Sequence, residues 1–145
     1  MTLKKILFAE DDNRDAELTI EAFSELNLAN NVIRVKNGSE VLDYLNKKGI
    51  YKNREDGFPV VIILDLNMPI LNGLETLKII KNTPEFKNIP VVMLTSSKDE
   101  INLAKSYNMG VNAYVVKPID FVDFMNAIKQ LGMFWAILNN SPLNN

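Results

Sequence analysis

Five short runs of aliphatic and β-branched residues punctuate the chain: Ile6-Leu7-Phe8-Ala9, Val32-Ile33-Arg34-Val35, Val60 to Leu64, Val91-Val92-Met93-Leu94 and Ala113-Tyr114-Val115-Val116. The first and third are solidly apolar rather than alternating, the pattern of strands buried on both faces of a sheet. Between the runs, apolar residues recur at helical spacing: Ala16, Ile20 and Phe23, followed by Leu26; Val41, Leu42 and Leu45; Leu74, Leu77 and Ile80; Ile101, Ala104 and Tyr107. Strand alternating with helix leaves few topologies open, because crossovers between parallel strands are right-handed and their helices must cover the sheet. The expectation is a doubly wound α/β fold: a five-stranded parallel sheet of order 2-1-3-4-5 with helices on both faces. Its ligand site should lie beyond the carboxyl ends of the strands. Ser39 and Asp99 are the expected N-caps of two of the helices. Lys47 to Pro59, polar with two glycines, reads as a surface loop.

With 145 residues, 47% apolar and 23% charged, the chain suits one domain with a single core. That domain is expected over residues 1–138, including an extended last helix, with a polar tail at 139–145. A net charge of −2 without a basic block gives no sign of nucleic-acid binding. No apolar run approaches the roughly 20 residues of a membrane-spanning helix, and Met1 to Lys5 lead into the first run without a signal-peptide pattern. The absence of cysteine removes disulfides and thiolate metal sites and fits a cytoplasmic location. Histidine is absent too, which removes imidazole acid–base chemistry, Ser-His-Asp hydrolysis and His-ligated zinc. Chemistry must come from carboxylates, hydroxyls, amides and lysine.

Those groups gather where the runs end. Glu10, Asp11 and Asp12 follow the first; Asp65 and, through Leu66, Asn67 follow the third; Thr95-Ser96-Ser97 follow the fourth; Lys117-Pro118 follow the fifth. Singly, each reads as a cap or turn former. Together at one edge of one sheet they suit phosphoryl transfer to a carboxylate. Glu10, Asp11 and Asp65 would crowd negative charge and raise one another's pKa values unless a cation is present. A hard divalent ion with oxygen ligands answers that need, and magnesium also binds phosphate oxygens. Lys117 and the Thr95 hydroxyl supply the further positive charge and donor that a transferring phosphoryl group requires.

These residues resemble the receiver domains of bacterial two-component response regulators, which share the CheY-like, flavodoxin-like fold. The resemblance runs over essentially the whole chain: Glu10-Asp11, Asp65-Leu66-Asn67-Met68-Pro69 with Gly73 eight residues past the aspartate, Thr95 and Lys117-Pro118. The intervals of 30 residues from Asp65 to Thr95 and 22 from Thr95 to Lys117 also match the family. It implies that Asp65 is the phosphoacceptor and that Asp11, Asp65 and the Asn67 carbonyl hold magnesium, with Glu10 acting through water. It further implies that Lys117 pairs with the acidic cluster and then with the phosphoryl oxygens, aimed by a cis bond to Pro118. Thr95 and Tyr114 resemble the switch pair, Ser96 the small residue beside the phosphoryl, and Asn67 and Ser97 the positions that tune acyl-phosphate lifetime. A narrower similarity, to single-domain regulators paired with phytochrome-type histidine kinases, rests on the Lys47 to Pro59 loop, the Thr83 to Pro90 stretch and the last helix carrying Phe134-Trp135.

That last helix is expected from about Asp120, with Phe124, Ile128, Leu131, Trp135 and Leu138 forming an apolar stripe. From Leu131 onward it is apolar on every side, so Phe134, Trp135 and Leu138 are expected in a protein interface, that of a homodimer or of a partner complex, and a homodimer is the expected state. Since the sequence stops after the fifth unit, the expected output is contact with a downstream protein, or passage of the phosphoryl group to a histidine phosphotransfer protein. The chain is expected to promote only its own phosphorylation and dephosphorylation. Two rivals fare worse. An aspartyl-phosphate phosphatase needs a second acid where Asn67 stands, and a flavin carrier needs a phosphate loop where Glu10-Asp11-Asp12 stand.

Overall fold

The computed structural model describes residues 5–25, 27–106, 110, 111, 113–117, 122 and 126. Its elements alternate as the sequence predicts: β1 (Ile6–Ala9), α1 (Asn13–Ser24), β2 (Val32–Val35), α2 (Gly38–Asn46), β3 (Val61–Asp65), α3 (Gly73–Lys81), β4 (Val91–Thr95), α4 (Lys98–Ser106) and β5 (Ala113–Val116), with short 3-10 turns at 29–31 and 49–51. The strands form one parallel sheet of order β2-β1-β3-β4-β5. Beyond Lys117, Val122 and Asn126 are helical. Pro118, Phe134, Trp135 and Leu138, with the rest of the apolar stripe, lie outside the described residues.

Side chains of a strand alternate between faces, and each face has its own core. Ile6, Phe8, Val61, Ile63, Val92 and Leu94 pack with Ala16, Ala22 and Phe23 of α1. Leu7, Ala9, Ile62, Leu64, Val91 and Met93 pack with Val41, Tyr44 and Leu45 of α2 and Leu77 and Ile80 of α3. Every residue of β1, β3 and β4 is buried, which is why the first and third runs carry no polar alternation. Burying each large aliphatic side chain contributes roughly 1.5–3 kcal/mol, so the three central strands form a stiff base for the groups at their ends.

Two caps differ from expectation. Asn37 caps α2, accepting from Glu40 N at 2.9 Å with extended φ −162° and ψ 174°, and Ser39 sits inside the first turn. At α4 the Ser97 hydroxyl oxygen accepts from Glu100 N at 3.3 Å, and Asp99 lies in the first turn, where its charge suits the helix dipole. In both cases the capping side chain is the one three residues before the N–H it receives. The third strand also runs one residue later than the sequence run, so Asp65 is its last member rather than the residue beyond it.

The 47–59 segment is more tightly built than a polar loop. Arg54 donates to Tyr44 O (2.9 and 3.1 Å), Asp56 O (2.7 Å) and Gly57 O (2.9 Å), and its guanidinium lies 4.0 Å from the Tyr44 ring centroid. The Tyr44 hydroxyl donates to Asp56 Oδ2 at 2.8 Å, and Arg54 pairs with Asp56 Oδ1 at 3.3 Å. A planar guanidinium suits this work because its fork serves several carbonyls and stacks on a ring at once.

Candidate functional site

The parallel register brings the carboxyl ends of β1, β3, β4 and β5 to one edge, and the polar residues read from the sequence meet there. Glu10 follows β1 directly and is fully buried; Asp65 closes β3 and is 1% exposed. Asp11 is exposed at the rim. Oxygens of Glu10, Asp11 and Asp65 all lie within 4.8 Å of one another. Lys117, just past β5, is held by its backbone N–H to Thr95 O at 2.7 Å. Its ammonium reaches Asp65 Oδ2 (3.1 Å), Glu10 Oε1 (3.2 Å) and Asp15 Oδ2 (3.2 Å).

Local chemistry explains how each group is aimed. Asp12 caps α1, accepting from Asp15 N at 2.9 Å, which starts the helix immediately after the acidic pair. After Asp65 the chain is anchored by buried Leu66 and Met68. It turns at Ile70, whose φ of 68° is unusual for a β-branched residue, and enters α3 through a capping box between Asn72 and Glu75. Gly73 makes this return possible: a Cβ there would lie 2.5 Å from Asp65 O and 2.9 Å from Leu66 Cα, so the helix start can press on the end of β3 only without a side chain. Asn67 N donates to Asp65 Oδ1 at 3.2 Å, leaving the aspartate held from both sides.

Buried negative charge exceeds local positive charge here. Burial pushes the Glu10 carboxyl up to about 8, and its hydrogen bond and charge contact with Asp65 add to the rise, with Lys117 opposing. For Lys117 burial alone would lower the pKa, but Asp65, then Glu10 and Asp15, hold the ammonium above its ordinary value. The all-oxygen donor set of Glu10, Asp11 and Asp65, with two members buried and one protonated more readily than usual, fits a hard divalent cation that would relieve the crowding.

Thr95, fully buried at the end of β4, donates its hydroxyl to Ser97 O at 3.2 Å. Tyr114 is half-buried, with the Lys105 ammonium 5.7 Å from its ring centroid, and burial raises its pKa. Ser97 contributes the α4 cap, while Asn67 and Ser96 are tied to Glu100. Of the sequence-predicted site residues within the described residues, Glu10, Asp11, Asp65, Asn67, Thr95, Ser96, Ser97 and Lys117 lie at this edge or in the loops that border it, whereas Tyr114 sits further back, as the second residue of β5 beside Met93.

Three residues at the site were not legible in the sequence. Asp15 reads as an ordinary first-turn acid of a helix, yet it is the third carboxylate on Lys117. Arg34 interrupts an apolar run on β2; its Nε and Nη2 donate to the Glu10 carbonyl at 2.9 and 2.7 Å and its Nη1 to Asn13 at 3.0 Å, which fixes the acidic turn. A cation inside a strand run was the available signal. Glu100 accepts from the Asn67 amide (2.9 Å), Ser96 N (2.7 Å) and the Ser96 hydroxyl (2.9 Å). The Asn67 and Ser96 bonds hold its carboxyl below the usual value, burial opposing.

Known proteins share this fold. The family model described as the response regulator receiver domain matches residues 6–129. Response regulator Rcp1 of Synechocystis is 34% identical over 91% of this chain and 88% of its own length. The probable methanogenesis regulatory protein FilR2 of Methanothrix harundinacea is 33% identical over 94% of this chain and 86% of its own. Among solved structures, the bacteriophytochrome response regulator RtBRR superposes with a TM-score of 0.89 at 52% identity, covering 97% of this chain and 86% of that one. The manganese-bound form of Rcp1 has a TM-score of 0.69 at 33% identity, covering 95% and 96%. Among the described residues no helix is long and apolar enough to cross a membrane. A match along nearly the whole domain, joined to the same sheet order, makes this chain a member of the response regulator receiver family, related to the phytochrome response regulators.

Proposed function

We propose that the chain accepts a phosphoryl group on Asp65 from a phytochrome-type sensor histidine kinase in the cytoplasm and signals by protein contact. The observation that carries this reading is the Asp65 carboxylate itself. It is almost wholly buried at the strand edge, with one oxygen on Lys117 Nζ at 3.1 Å and the other on Asn67 N at 3.2 Å, beside the Glu10-Asp11 pair. In the reaction an Asp65 oxygen forms the new bond to phosphorus while the bond from phosphorus to the donor's nitrogen or oxygen breaks, its electron pair leaving with the donor. A magnesium ion on Glu10, Asp11, Asp65 and the Asn67 carbonyl would supply positive charge to the phosphoryl oxygens. Lys117 is positioned to follow the charge from the carboxylate to those oxygens, and the Thr95 hydroxyl can turn from Ser97 O to join it. Tyr114 would then turn inward as the switch partner of Thr95, while Asn67 and Ser97 would tune the acyl-phosphate lifetime.

The kinase assignment is supported by the likeness to RtBRR, a bacteriophytochrome response regulator, at 52% identity. Phosphorylation would then be read by a downstream protein, with Phe134, Trp135 and Leu138 as the interface of a homodimer or partner complex, and with no catalytic activity beyond the chain's own phosphorylation and dephosphorylation. Incubation with magnesium and acetyl phosphate should add one base-labile phosphoryl group by intact mass, and Asp65→Asn should abolish it. Persistence of the adduct in that variant would move the acceptor elsewhere.

A further inference from the structure

We propose that Glu100 is a positioning residue that gates phosphoryl transfer, its carboxylate standing in for the anion on donors beside Asp65. This inference rests on Asp65 being the acceptor. Apart from the Thr95 hydroxyl, which donates to Ser97 O, the donors in the segments bordering the aspartate include the Lys117 ammonium, Asn67 N–H, the Asn67 side-chain amide, and the Ser96 N–H and hydroxyl. Two already serve carboxylates of the cluster: Asn67 N–H ends on Asp65, and Lys117 on Asp65, Glu10 and Asp15. The other three converge on Glu100, its Oε1 taking Ser96 N at 2.7 Å and Ser96 Oγ at 2.9 Å, its Oε2 taking the Asn67 amide at 2.9 Å. Hydrogen bonds to an ionised acceptor are short and strong, and these three clasp the loop after β3 to the loop after β4.

An entering phosphoryl group meets two obstacles here. It approaches a fixed like charge, and the neutral donors it needs face that charge instead. Release of Glu100 also reaches the buried Thr95 hydroxyl, because Thr95 donates to Ser97 O and the Ser97 hydroxyl oxygen caps the Glu100 N–H. Opening the clasp and freeing Thr95 are therefore movements of one loop, Ser96-Ser97, so the gate and the hydroxyl move together. The helix does not need Glu100 to begin, since Asp99 keeps an acid in its first turn and Ser97 provides the cap.

The test compares Glu100→Gln and Glu100→Ala with the unsubstituted chain, following phosphoryl uptake from acetyl phosphate with magnesium by intact mass at several salt concentrations. Both variants should react faster at low salt, on the order of five-fold, as expected when one partly exposed like charge is removed from beside an anion. The advantage should shrink as salt rises, because screening already weakens the repulsion in the unsubstituted chain; simple loosening of the loop would not respond to salt. Normal uptake by the unsubstituted chain, with no acceleration in either variant or with a salt-independent one, overturns the gate alone. Absence of uptake in all three overturns the assignment of Asp65 and the gate with it.

Discussion

Two places in this molecule bury charge with nearly the same ingredients and to opposite ends. In the 47–59 loop, one guanidinium meets one carboxylate, one tyrosine hydroxyl and a set of carbonyls. There burial works against ionisation of Asp56, but the Tyr44 hydroxyl and Arg54 outweigh it and hold its pKa below the ordinary value. At the strand edge, one ammonium meets Glu10, Asp15 and Asp65, with Asp11 nearby, and the Glu10 carboxyl is pushed up to about 8. The loop is electrically complete and behaves as structure. The strand edge has negative charge left over, which is what a cation and a phosphoryl group can answer.

Removing the cation from each place should separate the two roles. Lys117→Ala should reduce the rate of phosphoryl uptake about 10²-fold, the scale of losing one preorganised donor of transition-state charge. Arg54→Ala should leave that rate within about two-fold but destabilise the chain by about 3 kcal/mol, lowering Tm by roughly 10 °C, because Asp56 and the Tyr44 carbonyl lose their buried partner. Comparable losses of uptake in both variants at equal folded fraction would break the contrast.

A second test uses pH. The folded chain holds a proton on Glu10 up to about pH 8, whereas an unfolded glutamate releases it near 4.5. Between those values the folded state binds more protons, so without divalent ions this group's contribution to stability falls as pH rises. Magnesium should offset the fall, and urea midpoints at pH 5 and 8 with and without the ion check it: the ion should stabilise more at pH 8. Equal stabilisation at both values would mean that Glu10 is not part of the cation site.

The smallest expected effect is in the loop. Tyr44→Phe removes one bond to Asp56 and should cost about 1 kcal/mol. Burial and the Asp56 carboxylate raise the Tyr44 pKa, so in the unsubstituted chain the unfolded tyrosine ionises first and stability falls above about pH 10. The variant should lack that part of the alkaline fall in denaturation profiles. At the acid end Asp56 contributes above its ordinary pKa of 3.8 and loses its contribution as pH falls through the lower folded value.

Periodicity and strand-end polarity made the sheet order readable in advance, because burial on both faces of β1 and β3 forces continuous apolar runs. They also made Glu10, Asp11, Asp65, Thr95 and Lys117 readable, because in this topology strand ends converge. The caps were less legible: Asn37 and Ser97 win over Ser39 and Asp99 by where the backbone leaves its extended conformation, a matter of one or two residues.

The sequence by itself determined that the chemistry belongs to carboxylates, lysine and hydroxyls, since it holds no histidine or cysteine. It also determined that these groups stand at the ends of parallel strands. Only the tertiary structure decided which of them touch. Lys117 reaches Glu10 across 107 residues and Asp15 across 102, and Glu100 reaches Asn67 across 33. Local spacing does not encode contacts of that range. They follow from strand register and loop path, which set the placement of each side chain to within the length of a hydrogen bond.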